Sequence, residues 1–377
     1  MQAGEKMREE LAEKILGEVM GWSPEDLSRE RLKIQLMADI KYDNYQQYSQ
    51  GKRYVESLAM WLNMLDVSDR LPAYQFINDN LLFVSSTEMR ELVDVSYSSN
   101  IKPVLLEQTK QHCISNDITD LPMRKQIFTC FQRSSLFLGL SDGAHIDVFR
   151  RDHPFLSNEQ IHVHYDLSAK KMTDIVKEIK RDPIINNQSI IKIDGITNIF
   201  LLDDFSASGI SFIRKETENN VDVWKGKIVK FINQLIEYNV YCNNMKINVI
   251  LYISTKKAID RINNELKQYS LTNSMNIIIN ASAIQYVDSF ICPPDINAIF
   301  NKYFSRYDFS KIVDKHYRKG DVSKPYLGFD GCSLPLVLYH NTPNNSFPIL
   351  WFDYRFYSSE KEFVGLFPRV TRHKEDH

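Results

Sequence analysis

The 377-residue chain has no excess of either charge: 46 Lys and Arg stand against 48 Asp and Glu, a formal net charge of −2. That balance provides no global attraction to nucleic acid or an anionic membrane, and only a local basic patch would supply one. The chain also lacks paired cysteines. Cys113, Cys130, Cys242, Cys292 and Cys332 are scattered and odd in number, so neither a disulfide framework nor a structural zinc site is indicated. No apolar run is long enough to cross a bilayer. The amino-terminal MQAGEKMREELAEK is too charged for a secretory signal. There is no internal repeat or low-complexity stretch, and no Ser/His/Asp signature. These absences lead to the expectation of a cytoplasmic protein with no membrane partner and no direct nucleic-acid signature. The 43% hydrophobic and 12% aromatic content is ample for a core, and the length suits one large or two ordinary domains.

The stretch Ile199–Ser211, IFLLDDFSASGIS, organises the chain. Ile199, Phe200, Leu201 and Leu202 form an unbroken apolar run, the pattern of a strand buried on both faces of a parallel sheet. Asp203 and Asp204 follow, then the small-residue loop Ser206, Ala207, Ser208 and Gly209, and then Ser211. Acids at the carboxyl end of a central strand, ahead of a small-residue loop opening a helix, sit where open α/β sheets bind ligands. Such a loop can turn backbone N–H groups and hydroxyls toward an anion. An ordinary strand-to-helix turn with an acidic cap fits the same residues.

Upstream the pattern is helical. Residues 5–20 carry an apolar stripe, Ser23-Pro24 reads as a cap and first turn, and residues 29–40 continue the helical pattern. The aromatic-rich segment from Lys41 to Phe76 is expected to break at Gly51 and near Pro72, and Ser85 to Glu88 resembles a helix start. The α/β core begins near Arg133. Strands are expected at 136–140, 161–165, 199–202, 246–253 and 275–280, with helices at 145–151, 169–180, 221–238 and 256–268. That alternation implies right-handed crossovers and a parallel sheet. Gly328 to Tyr354 reads as two apolar strands around a polar turn, His340 to Asn345. The expected domains are a helical domain 1–115, an α/β core 116–327, and a strand-turn-strand cap with a tail, 328–377.

Ile199–Ser211 resembles the phosphoribosyl diphosphate-binding motif of phosphoribosyltransferases, in which two acids precede a loop usually ending Thr-Gly-x-Thr. Here the ending is Ser208-Gly209-Ile210-Ser211. Together with KYDNYQQYSQGKRYVESLAMWL and LYHNTPNNSFPILW, it resembles the PRTase-CE branch, found in bacterial conflict systems including retron-type phage-defence loci. The resemblance implies an α/β, phosphoribosyltransferase-like parallel sheet flanked by helices. It implies that Asp203 and Asp204 hold the ribose hydroxyls, directly or through magnesium, and that Ser206, Ala207, Ser208, Gly209 and Ser211 wrap the 5-phosphate. The pyrophosphate loop would be Ser141, Asp142, Gly143 and Ala144. Asp142 departs from what pyrophosphate favours, and a plain turn fits these residues equally well.

The implied ligand is phosphoribosyl diphosphate or a nucleotide. The reaction would be pentosyl transfer or cleavage of a nucleotide glycosidic bond, carried out by a toxic effector in anti-phage defence, with protein or ribonucleoprotein partners. The alternative is a non-catalytic nucleotide sensor or a structural subunit of a defence complex. Loss of pyrophosphate builds oxocarbenium character, so catalysis depends on positioning and on neutralising the leaving group, without a protein nucleophile. Neighbouring strand residues point to opposite faces, so Asp203 and Asp204 are not expected to be equivalent, and Asp204, next to the loop, is expected to dominate. Asn341 and Asn345 would contribute a substrate cap, or only a turn. Arg150 and Arg151 read as surface arginines, and His162 with His164 as a polar strand face.

Overall fold

Nine strands form among the described residues: β1 Leu82–Val84, β2 Ser135–Gly139, β3 Ile161–His162, β4 Asn198–Ser206, β5 Arg214–Glu218, β6 Val221–Lys225, β7 Lys246–Ser254, β8 Ile278–Tyr286 and β9 Leu336–Leu338. The computed structural model describes residues 2–186, 191–240, 245–273, 277–357 and 359–370. Cys242, the start of the strand expected at 275–280, and the tail from 371 lie outside them.

The chain divides into two compact units, one of Met1–Glu88 with Asp288–His377 and the other of Met89–Val287. The expected boundaries at 115 and 327 fall inside these units, because hydrogen bonds tie the flanking segments elsewhere. Helix Lys102–Ser115 belongs with the sheet, and Gln108 accepts from Asn198 Nδ2 at 2.8 Å. Residues beyond 288 belong with the amino-terminal helices. β9 pairs in parallel with β1, and the Trp61 indole N–H donates to Ile349 O at 2.9 Å.

In that first unit the structure follows most local signals. Ser23 caps helix Pro24–Ile40 by accepting from Asp26 N. Ser85 and Glu88 bond reciprocally, each side chain taking the other's backbone N–H. The aromatic segment is packing: Tyr42 and Tyr54 are buried and meet Phe367. Pro72 does not end a helix, since Val67–Asn80 runs through it. The second strand expected within 328–354 is instead a short helix, Pro348–Trp351, for which proline is suited to the first turn.

The second unit is built on a parallel sheet in the order β3-β2-β4-β7-β8, with helices in the connections. β4 is the central strand. Its residues from Asn198 through Asp203 are buried, as a strand covered on both faces requires. Phe200 stacks on Phe137 of β2, with ring centroids 5.4 Å apart. β3 is shorter than expected and ends at His162. β4 is longer, running through both acids to Ser206.

One expected helix is replaced. Residues 221–238 do not form a continuous helix. β5 and β6 make an antiparallel hairpin, and the helix is only Lys227–Glu237. The turn residues Asn219 and Asn220 both have positive φ, 50° and 62°, the geometry of the two-residue hairpin turns that asparagine tolerates. Lys215 pairs across the hairpin with Asp222 at 2.6 Å, and Lys225 with Glu216 at 3.1 Å.

Phe200→Ala removes a fully buried ring from the stack on Phe137. It is expected to lower unfolding free energy by about 3–5 kcal/mol, read by urea denaturation.

Candidate functional site

The strand order places a topological switch point between β2 and β4. The chain passes from β2 outward to β3, then crosses back beyond β2 to form β4. The crevice outside the carboxyl ends of such a strand pair is where open α/β sheets take ligands. Two turns meet here, one following β2 and one following β4.

Asp203 is buried, 1% exposed. Its Oδ1 accepts from the Ser141 hydroxyl, and its Oδ2 is 2.9 Å from Lys227 Nζ. Burial pushes its pKa up to about 6; Lys227 opposes that shift and Asp204 reinforces it. Asp204 is half-buried, and its Oδ1 accepts from Phe205 N at 2.8 Å. Gly143 lies directly against it: a Cβ built on Gly143 would fall 2.3 Å from Asp204 Oδ2. A glycine is therefore required at this close approach. Tyr252 of β7 is buried and donates to Ala144 O at 2.7 Å, holding the turn after β2 from below. Burial, with Asp203 and Asp204 nearby, keeps the Tyr252 phenol protonated.

Thus Ser141, Gly143 and Ala144 come together with Asp203 and Asp204. Asp142 is exposed. The two acids are inequivalent, as strand alternation requires: Asp203 faces inward onto fixed partners, and Asp204 lies at the crevice.

The loop after β4 differs from the expected helix opening. Ser206, Ala207, Ser208 and Gly209 are buried, and Ser211 is exposed. Gly209 N donates to Ser206 Oγ at 3.1 Å and Ile210 N to Ser208 Oγ at 3.4 Å. In this conformation the loop's own hydroxyls take two of the amides expected to face an anion. The Ser254 and Thr255 hydroxyls donate to Ser206 O and Ala207 O at 2.7 and 2.8 Å, fixing the loop to the end of β7. Gly209 has φ +76°, and a Cβ there would meet Ile262 Cγ1 at 2.9 Å and Ala258 O at 3.1 Å. Its requirement is close packing on helix Lys256–Thr272, so a valine at this position strains the fold before it reports on a ligand.

The residue missed in the sequence is Lys227. The chain leaves the loop into the hairpin and returns beside its point of departure. Lys227 N bonds Ser211 O at 3.1 Å and Ile228 N bonds Phe212 O at 3.0 Å. Lys227 thereby begins its helix at the crevice, with its ammonium on Asp203 and 5.2 Å from the Phe212 ring centroid. Read as part of one helix from 221, it has no reason to stand there. The signal is the alternation RKETE and VDVWK around Asn219-Asn220.

Other candidates have local partners. Arg150 donates to Ile161 O, Arg151 pairs with Asp147, and His162 Nε2 lies 3.0 Å from Glu159 O. Asn341 and Asn345 belong to the other unit. There Asn341 donates to Val370 O and Asn345 to Phe329 O.

The fold is that of a phosphoribosyltransferase-like protein. The family model PRTase-CE matches residues 58–369, and the chain belongs to that family. Comparison with curated proteins and with solved structures gives no match.

The raised pKa of Asp203 has a defined sign. Its folded value of about 6 lies above the ordinary 3.8, so its favourable contribution is complete below pH 4 and is lost as pH rises through about 6. The stability of Asp203→Asn relative to wild type is expected to improve between about pH 4 and pH 7, by at most about 3 kcal/mol. Urea unfolding at a series of pH values checks this, and a pH-independent difference would contradict it.

Proposed function

We propose that this protein binds a phosphoribosyl or nucleotide ligand at the switch point between β2 and β4 and breaks or exchanges its bond at the anomeric carbon. It would do so as an effector of bacterial anti-phage defence, within a system of protein or ribonucleoprotein partners. The observation that carries this reading is the interlock of the two turns: Ser141 on Asp203, and Gly143 in contact with Asp204. An ordinary strand-to-helix turn has no need to bring a second loop within reach of both acids. Membership of the PRTase-CE family supports the same ligand class.

The chemistry requires the bond from the anomeric carbon to the leaving pyrophosphate or base to break, its electron pair departing with that group. A new bond then forms to an acceptor or to water. In this reading Asp204 accepts from ribose hydroxyls and faces the positive charge that develops on the ring. Asp203, held by Ser141 and Lys227, fixes the end of β4 from which Asp204 projects. The hydroxyls of Ser206, Ser208 and Ser211 are the donors for the 5-phosphate. Since two loop amides are occupied by Ser206 and Ser208, phosphate binding exchanges those internal bonds for bonds to the ligand.

Magnesium suits this donor set. Among the described residues no three His, Cys, Asp or Glu side chains converge, and magnesium characteristically takes one or two carboxylates with ligand phosphates and water. Asp204, with Asp203 beside it, would hold the ion, which would supply neutralisation of the leaving phosphates.

The test is incubation of purified protein with phosphoribosyl diphosphate, NAD or nucleotide pools and magnesium, with products read by mass spectrometry. Asp204→Asn is expected to lower product formation by about a hundredfold or more and to remove phage protection in cells. Its unfolding free energy should change by no more than about 1 kcal/mol. Full activity of Asp204→Asn in both assays would refute the site. Ligand binding by wild type without any product would leave a sensor in place of an enzyme.

A further inference from the structure

Helices Lys102–Ser115 and Leu121–Arg133 both belong to the second unit, and together they line an open groove of about 690 Å³. Its apolar surface is formed by Leu106, Ile114, Leu121 and Phe128. Leu106, Ile114 and Leu121 are exposed by 49, 67 and 74%. Single exposed leucines are ordinary, but large aliphatic side chains gathered along one groove mark an interaction site.

The charges of the groove identify its occupant. Its lining holds four cations, Lys102 and Lys110 from the first helix and Arg124 and Lys125 from the second, and no carboxylate. Among the described residues these cations make one ion pair, Lys110 with Glu107 at 3.8 Å, between exposed side chains. Glu107 lines the neighbouring cleft instead. Asp117 and Asp120 lie in the turn joining the helices, where Asp120 caps the second helix by accepting from Met123 N at 2.9 Å. Along the first helix the lining runs in steps of four, Lys102, Leu106, Lys110, Ile114, with the two cations about 12 Å apart along the axis. On the second helix Leu121 and Lys125, and Arg124 and Phe128, stand at the same step. A single anionic headgroup needs its cations in one cluster, and a phosphate backbone leaves an aliphatic floor uncovered. Cations contributed by both helices, with apolar residues among them, match a helix whose apolar stripe is flanked on both sides by acids. We infer that this groove docks an acidic amphipathic helix of a partner protein. It uses none of the crevice residues, and the inference stands independently of the proposed chemistry.

The probe is a fluorescently labelled helical peptide of about 18 residues, with leucine at i, i+3, i+4 and i+7 and glutamate on both flanks. A second peptide carries lysine in place of glutamate. Titrated with the full chain and read by anisotropy, the glutamate peptide is expected to bind in the micromolar range, at least about tenfold tighter than the lysine peptide, and to weaken as salt is raised. The double variant Lys102→Glu, Lys125→Glu should weaken the glutamate peptide by about tenfold or more and strengthen the lysine peptide. Leu106→Asp should weaken the glutamate peptide by a similar factor. Circular dichroism of these surface variants should match wild type. No saturable binding, equal binding of the two peptides, or binding indifferent to the variants would each overturn the inference. Capture of phosphatidylglycerol vesicles or single-stranded DNA without peptide binding, lost in the same variants, would overturn it in favour of a lipid surface or a nucleic acid.

Discussion

A carboxylate inside a sheet is costly unless it is met by donors, and the second unit is arranged around one such group. Asp203 sits 1% exposed on the central strand. Its two oxygens draw Ser141 from the turn after β2 and Lys227 from the start of a helix. Those two contacts bring together three pieces of chain that are distant in sequence. The turn after β2 cannot retreat without exposing an unpaired buried charge, and the helix must begin where its first residue reaches the carboxylate. Asp204 inherits its position from this arrangement. Fixed by its neighbour, it meets the backbone of Gly143, where no side chain would fit.

The remaining geometry follows from strand order. Crossing back over β2 to reach β4 opens a crevice between two parallel neighbours. Tyr252 from β7 reaches beneath it to Ala144 O, while Ser254 at the end of the same strand and Thr255, which caps the next helix, secure the loop after β4. One strand thus supports both walls. The loop is closed on itself, its hydroxyls bonded to its own amides, and its glycine is packed against the next helix.

Much of this was legible from residue patterns. The apolar run Ile199–Leu202 specifies a strand buried on both faces, and the acid pair after it marks the carboxyl end. Strand alternation separates the surroundings of the two acids, Asp203 buried and Asp204 half-buried. Local rules failed where local and tertiary choices diverge. Val221 to Tyr238 has helical periodicity in its second half, which masks the alternation of the first; the discriminating feature is the two asparagines able to take positive φ. β4 runs past the end that the sequence pattern indicates because acids rarely continue a buried strand, and here a serine and a lysine delivered from elsewhere meet the buried one. Unit boundaries were the least accessible, since β1 and β9 pair across most of the chain, and nothing local to Leu82 or Leu336 announces that partnership.

The hairpin between the loop and helix Lys227–Glu237 enters and leaves the unit through adjacent backbone bonds, Ser211 O to Lys227 N and Phe212 O to Ile228 N. Its stem is closed at the root, so the length of its arms is decoupled from the register of everything beneath. Evolution can therefore lengthen, trim or recharge the tip at Asn219-Asn220 while the lysine at its base stays on the buried acid. Diversification at the rim and conservation at the floor become separable, and the same joint offers a natural splice point for grafting a reporter peptide beside the crevice.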